Sequence, residues 1–520
     1  MQLRHLLYLF IFIFFSRCAR VGRPVGGDKD ITPPKVLKST PRAGQAGFKG
    51  DEITLVFDEY VQIKNPHQNI LLSPPPEQFP EIFPSGFASK VFKIKFKNPL
   101  QQNTTYLINF GESIVDYNEG NKLKDFQLIF STGKQIDSLK FSGKVMRAHA
   151  GKKSEKIIIG LYPLENFKDS AVFQQKPYYV GIARKDGKFE LTHLKKGRYK
   201  IIAIEDANND YKYKTGDERI GFLNDTVSLP QDSTAQIWLF KEFPRAGIDK
   251  IEQKSRTHLI VHFKGNPDSL QVKPLTKLSK STDYIQKNQY HLWYMTPDDT
   301  IRLRLKAGNQ IKNYNRLRIP ETDSLQVSVK KTKLALTDTL KLRTSMPVLA
   351  CDTGKIKLQK DSLSIPFSCD FSPERQAYLI FQKQAGKYKL LILPAALTGF
   401  NTQKNKDSLQ AVIKIEPAEK YGSLHLELKR KSATPVFVEL INKDKVIRKS
   451  ATSTQNKFDF PYLSPGQYQV RVVYDDNQNN RWDTGNYLLH QQPEKTFEPP
   501  VILDVRANWD LNQTIELPEK

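Results

Sequence analysis

"KFELTHLKKGRYKIIAIEDANNDYKYKTG", Lys188–Gly216, is written again near the end of the chain as "KFDFPYLSPGQYQVRVVYDDNQNNRWDTG", Lys457–Gly485. The two align without a gap. Phe189 falls on Phe458, Leu194 on Leu463, Gly197 on Gly466 and Tyr199 on Tyr468. Asp206, Asn208, Thr215 and Gly216 fall on Asp475, Asn477, Thr484 and Gly485. Each copy has apolar residues at alternate positions, a glycine turn, a second alternating run and a polar loop. Alternation loads one face of a strand, so each copy reads as a β-hairpin followed by an Asx-rich turn. The preceding "IIIGLYPL" and "VFVELINK" correspond as well. An uninterrupted match of this kind implies a duplicated β module.

Outward from this pair the same period recurs. "ITLVF" (Ile53–Phe57), "FKIKF" (Phe92–Phe96), "YLINF" (Tyr106–Phe110), "HLIVHF" (His258–Phe263), "TIRLRL" (Thr300–Leu305), "KIKLQK" (Lys355–Lys360) and "QAVIKI" (Gln410–Ile415) all carry a one-faced apolar pattern. Pro, Gly, Asn and Asp punctuate them, and helix signals are nearly absent. With 520 residues, one core is too few and roughly three to five are expected. The fold class is therefore all-β, a tandem array of β-sandwiches.

Two families resemble parts of this array. "TPPKVLKSTPRAGQAGFKGDEITLVFDEYV" (Thr32–Val61) and "NPLQQNTTYLINFGESIVDYNEGNKLKDFQLIFSTG" (Asn98–Gly133) carry P-x-x-G, F-D-E, T-Y-x-I-x-F, D-x-x-x-G-N-x-L and F-S-T in order. That order resembles the bacterial Ig-like domain of S-layer proteins and many Gram-negative lipoproteins. The resemblance covers about a fifth of the chain and implies a sandwich with a scaffolding or adhesive role. The repeated G-K-F-x-x-x-x-L-x-x-G-x-Y pattern resembles the transthyretin-like fold of carboxypeptidase regulatory and Cna-B-type domains. The expected organisation is a signal peptide (1–17), a lipidated tether (18–31), an Ig-like domain (32–134), a transthyretin-like sandwich (138–242), a β domain of unassigned type (250–325), a degenerate Ig-like domain (336–417) and the duplicate transthyretin-like sandwich (420–518).

The N-terminus carries the localisation signal. "MQLRH" is basic and Leu6–Phe15 is an apolar run, too short to span a hydrocarbon core of about 30 Å but of secretory length. Cys18 follows directly. Its position resembles the lipobox of bacterial lipoproteins and implies acylation of the thiol, although Arg17 stands where those proteins carry a small residue. Two acyl chains anchor a protein stably. The expected location is the cell envelope, on the outer membrane, facing either periplasm or surface. The remaining cysteines, Cys351 and Cys369, lie in neighbouring alternating segments, and an exported chain permits a cross-strand disulfide.

Charge adds a partner class. Lys+Arg number 80 against 55 Asp+Glu, a formal net charge of +25. The lysines are scattered over nearly every strand, without a basic arm or recognition helix. This describes a basic surface suited to anionic glycan or lipid, and no nucleic-acid partner is expected.

Few residues suggest chemistry. Counted from Asp206 on an EF-type loop, Asp206, Asn208 and Asp210 fall at positions 1, 3 and 5, and Asp217 at position 12. Tyr211 stands where a glycine makes the sharp turn. The second copy has Asp475, Asn477, Asn479 and Asn486, two carboxylates fewer. Weak calcium binding by the first loop stands against an Asx-rich turn in which Gly216 or Gly485 takes a positive φ. His258 and His262 share a strand face, about 13 Å apart, too far for one metal, and read as half-exposed. Lys144 is a conceivable isopeptide donor. No hydrolase, zinc or nucleotide motif is present. The expected function is a non-enzymatic, membrane-anchored structural or adhesive protein presenting its modules to an envelope partner. A carbohydrate- or peptidoglycan-binding role would use exposed aromatics, for which "YHLWYM" (Tyr290–Met295) and Trp482 are the candidates. A hydrolase with a nonlocal site is the second alternative.

Overall fold

The computed structural model describes residues 30–149, 156–320, 323–431 and 433–518. Cys18, with the signal-peptide and tether residues through 29, lies outside the described residues. Strands hold 51% of the described residues and helix 4%, so the fold is all-β. Among the described residues no helix is long and apolar enough to cross a membrane. Two compact units form. Of the described residues, one holds 30–140 with 178–180 and 192–195; the other holds those in 141–177, 181–191 and 196–518.

The first unit is a sandwich. One sheet runs Val36–Thr40, Glu52–Ile63, Ser89–Lys95, Glu81–Phe83, with Ile114–Asp116 also on Glu52–Ile63. The other runs Leu71–Ser73, Thr105–Asn109, Gln127–Ser131. Glu52–Ile63 buries alternate residues, Ile53, Leu55 and Phe57, against Phe92, Phe110 and Phe130. The D-x-x-x-G-N motif is explained by its hydrogen bonds. The Asp116 carboxylate accepts the N–H groups of Glu119 (2.6 Å), Gly120 (3.0 Å) and Asn121 (2.6 Å), and Gly120 supplies the positive φ of 80°. The Asn121 amide donates to the carbonyls of Asp30 and Thr32, fastening the start of the module.

The duplicated modules share one topology. In the first copy Lys188–Leu194, Leu139–Arg147 and Thr234–Leu239 form a sheet whose last pair is parallel. In the second, Lys457–Leu463, Gly422–Lys429 and Asp510–Glu516 do the same, again with a parallel last pair. The facing sheets also match. Tyr179–Ile182, Ile158–Pro163, Gly197–Ile204, Ile220–Phe222 with Val227–Leu229 stand against Lys445–Lys449, Val436–Asn442, Gly466–Tyr474, Thr496–Phe497 with Ile502–Val505. The aligned residues Phe189 and Phe458, Leu194 and Leu463, and Tyr199 and Tyr468 are all buried. His193 and Tyr462, also aligned, both take positive φ, so that kink belongs to the repeated fold.

Between them lie two further sandwiches. The third module stacks Gly247–Ser255, His258–Lys264, Gln289–Met295, Lys280–Gln286 over Leu270–Pro274, Thr300–Ala307, Gln310–Leu317. The fourth stacks Val327–Val329, Leu340–Thr344, Gln376–Ile380, Ser368–Ser372 over a five-stranded sheet centred on Gly386–Ile392. Its strand pieces at Val327–Val329 and Lys333–Leu334 precede residue 336, in the lysine-rich "SVKKTKL" where alternation is faint. The Asn401 amide donates to the Asp323 carbonyl at 2.8 Å, the same fastening that Asn121 makes in the first unit.

Candidate functional site

The repeated loops are built alike, bond by bond. Asp206, 3% exposed, accepts the N–H groups of Asp210 (3.3 Å) and Tyr211 (3.1 Å). Asp475, fully buried, accepts those of Asn479 (3.1 Å) and Asn480 (2.8 Å). Asn208 accepts from Asp210, as Asn477 does from Asn479. Asp210 accepts from Lys212, as Asn479 does from Arg481. Asn209 and Tyr211 take positive φ, as do Gln478 and Asn480. Burial works to raise the Asp210 carboxyl, but the Lys212 N–H, the Asn208 amide and Lys214 hold it below its usual value.

The structure thus brings Asp206, Asn208 and Asp210 together, with oxygens occupied by backbone donors. Asp217 is exposed and stands outside this set. Among the described residues no group of three or more His, Cys, Asp or Glu is placed to hold a metal ion. Sequence reasoning missed the carboxylate that closes the loop. Glu218 accepts the N–H groups of Ala207 (3.1 Å) and Lys214 (3.0 Å). The aligned position in the second copy is Tyr487, yet the equivalent donors, Asp476 (3.0 Å) and Asp483 (2.9 Å), are still served, by Glu494. A carboxylate lost at one position is replaced from a different loop. Burial pushes the Glu494 carboxyl up to about 7.

Tyr487, released from that role, joins the two copies. Its ring stands edge-on to Phe222 and Phe173, and its N–H donates to Glu242 at 2.6 Å. Glu242, 5% exposed, also accepts the Tyr213 hydroxyl at 2.6 Å, so one carboxylate ties residues of both copies. Thr484 donates to the Lys241 carbonyl at 2.8 Å, and Thr496 to that of Ala148 at 2.6 Å. Gly216 takes a φ of +82° as expected of it, whereas Gly485 has no such φ. Gly485 is required for close approach instead. A Cβ there would meet the Gln491 carbonyl at 2.6 Å and the Phe240 ring at 2.7 Å.

A polar clamp accompanies the joint. The Arg471 side chain, 3% exposed, donates to Glu439 (2.9 Å) and Glu498 (2.6 Å). The same Nη1 that donates to Glu439 lies 3.4 Å from His149 Nε2. Burial, then Arg471 and Arg219, lower the His149 imidazole to about 4, so it is neutral and accepts. His149 also stacks on Trp482 at 4.5 Å, and the Trp482 indole N–H donates to the Glu494 carbonyl.

The other candidates are placed as follows. His258 is not half-exposed but 5% exposed, because the fourth module covers that face of its sheet. It stacks on Trp293 at 3.9 Å, and its Nε2 lies 3.1 Å from His291 Nδ1. His291 in turn stacks on Tyr284 at 4.6 Å. Burial lowers His258 to about 3 and His291 to about 4. His262 stays half-buried beside Glu252. Trp293 is 1% exposed and offers no open aromatic face, while Trp482 is half-buried with one face stacked on His149. Lys144 is exposed on its strand and stays hydrated. Cys351 and Cys369 lie with Cα atoms 6.6 Å apart and sulfurs in contact, within disulfide geometry by Cα spacing.

Known proteins place part of this chain. No curated protein matches it. Among solved structures, the S-layer protein rSbsC(31-844) is 10% identical over 91% of this chain and 67% of its own, with a TM-score of 0.16. The major pilin subunit of Bacillus cereus is 9% identical over 72% of this chain and 99% of its own, with a TM-score of 0.14. The Bacillus anthracis TIE protein is 13% identical over 94% and 75%, also at 0.14. Scores this low carry no argument about arrangement or function. The sandwich that Asp116 and Gly120 help to close has a firmer likeness: residues 30–132 match the family model of the bacterial Ig-like domain.

Proposed function

We propose that this protein is a non-enzymatic scaffold of the bacterial cell envelope, anchored by lipid at Cys18, whose docked β modules present a fixed surface to a partner. One observation carries the reading: the loops that resemble a metal site are occupied in holding the two copies together. Glu242 bridges Tyr213 and Tyr487, and Gly485 admits Phe240. Burying a clamp such as Arg471–Glu439 costs desolvation and is retained where geometry must be fixed. The Ig-like match at residues 30–132 supports an envelope or surface role, and the apolar run ending at Cys18 supports export and anchoring. Exposed lysines on edge strands keep the sheets from pairing with other chains.

Mass spectrometry of the protein recovered from membranes tests the anchoring. A mature N-terminus at Cys18 carrying acyl chains is the expected result, with Cys18→Ala shifting the protein to the soluble fraction. Recovery of an intact Met1 contradicts it.

A further inference from the structure

One recess is unlike the rest of the surface. It lies where the sheet carrying Leu340–Thr344 meets the end of Lys280–Gln286, and it encloses about 330 Å³. Lys330, Lys341, Arg343 and Arg375 line it, with Glu374 as the one carboxylate among the lining residues. Several lysines elsewhere in the same module are paired, Lys331 with Asp338 at 2.6 Å and Lys414 with Glu416 at 2.9 Å among them. Among the described residues none of the four lining cations forms an ion pair. Like charges gathered in a recess repel, and an anionic ligand relieves that repulsion.

Behind the recess the core is closed: Tyr284, His291 and Trp293 are only 7%, 3% and 1% exposed. Tyr284 lies on the same strand face as Gln286, which lines the recess, and Arg375 acts electrostatically on its hydroxyl. Arg375 itself is held in place at a tight turn, with a φ of 60° and its carbonyl accepting the Thr344 N–H.

We propose that this recess binds an acidic polysaccharide, its carboxylate or sulfate groups held by Lys330, Lys341, Arg343 and Arg375. Gln286 and Gln376 offer amides to sugar hydroxyls. A lipid surface would call for apolar side chains at the rim, and the apolar lining residue, Leu342, is fully buried. Lys341 already lies over one face of the nearby Tyr378 ring, 5.6 Å from its centroid. The proposal goes beyond the scaffold reading and does not depend on it.

Calorimetry on the full-length protein at about 150 mM salt, where surface charge is screened beyond about 8 Å, tests the site. The probes are polygalacturonate and heparin, with neutral dextran and phosphatidylglycerol vesicles as the other arms. At least one polyanion binds, dextran does not, and K341E/R343E weakens binding about tenfold, as for paired charge contacts. The matched reversal K306E/K312E, on exposed strands of the third module, leaves affinity within about twofold. If K341E/R343E disturbs folding, K341Q/R343Q reads the same direction. Three results overturn the proposal: no polyanion binding, equal weakening by both reversals, or vesicle binding that the groove variant abolishes, which assigns the recess to lipid headgroups.

Discussion

His149, His258 and His291 are held neutral inside the second unit, with imidazoles lowered to about 4, 3 and 4. Burial is the main cause, and nearby cations add to it: Arg471 beside His149, and Arg375 beside His258 and His291, which stack with Trp293 and Tyr284. Unfolded, each would titrate near 6.5. Between that value and about 4 the unfolded chain therefore binds more protons than the folded one. Stability should be fully present above about pH 6.5 and fall as the pH drops through 4. Thermal midpoints measured across this range check the sign, and H258F/H291F should flatten the slope. Arg471 gives a second prediction. Arg471→Ala leaves Glu439, 9% exposed at its side chain, buried without its cation, at a cost of about 3 kcal/mol in denaturant unfolding. A loss under about 0.5 kcal/mol would mean that the clamp adds nothing.

At the scale of the element, the Asx loop is a hydrogen-bonded turn and its residues should behave unequally. Asp206→Ala orphans the N–H groups of Asp210 and Tyr211 and should cost about 2 kcal/mol. Asp217→Ala, at an exposed position, should stay within about 0.5 kcal/mol. Unfolding followed by tryptophan fluorescence measures both. Millimolar calcium should leave both midpoints unchanged, and a calcium-dependent rise abolished by Asp217→Ala would place an ion in the loop. The hairpins leading into these turns were legible because one face of each strand is wet and the period shows. The third module's "QYHLWYM" was opaque for the opposite reason. Leu292 and Tyr294 face their own core while His291 and Trp293 face the fourth module, so these four consecutive positions are all buried and no period remains. The replacement of Glu218 by Glu494 was also invisible, since it depends on a loop that no alignment of the repeats connects.

Taken whole, the chain shows its modules in sequence and hides how they join. Duplication was readable from aligned Phe, Leu, Gly and Tyr residues. The joint rests instead on Tyr487, which stands in place of Glu218, and on Gly485, a glycine in both copies whose value here lies in Phe240 more than 200 residues away. Such contacts carry no local period, and one sequence read alone has nothing to pair them with. The claim that the copies form one body is the centre of this account, and hydrogen exchange followed by mass spectrometry under increasing denaturant tests it most directly. Peptides from Gly197–Ile204 and Gly466–Tyr474 should lose protection in a single step, and Gly485→Ala should split that step in two. Separate loss of protection in the unaltered protein would contradict it.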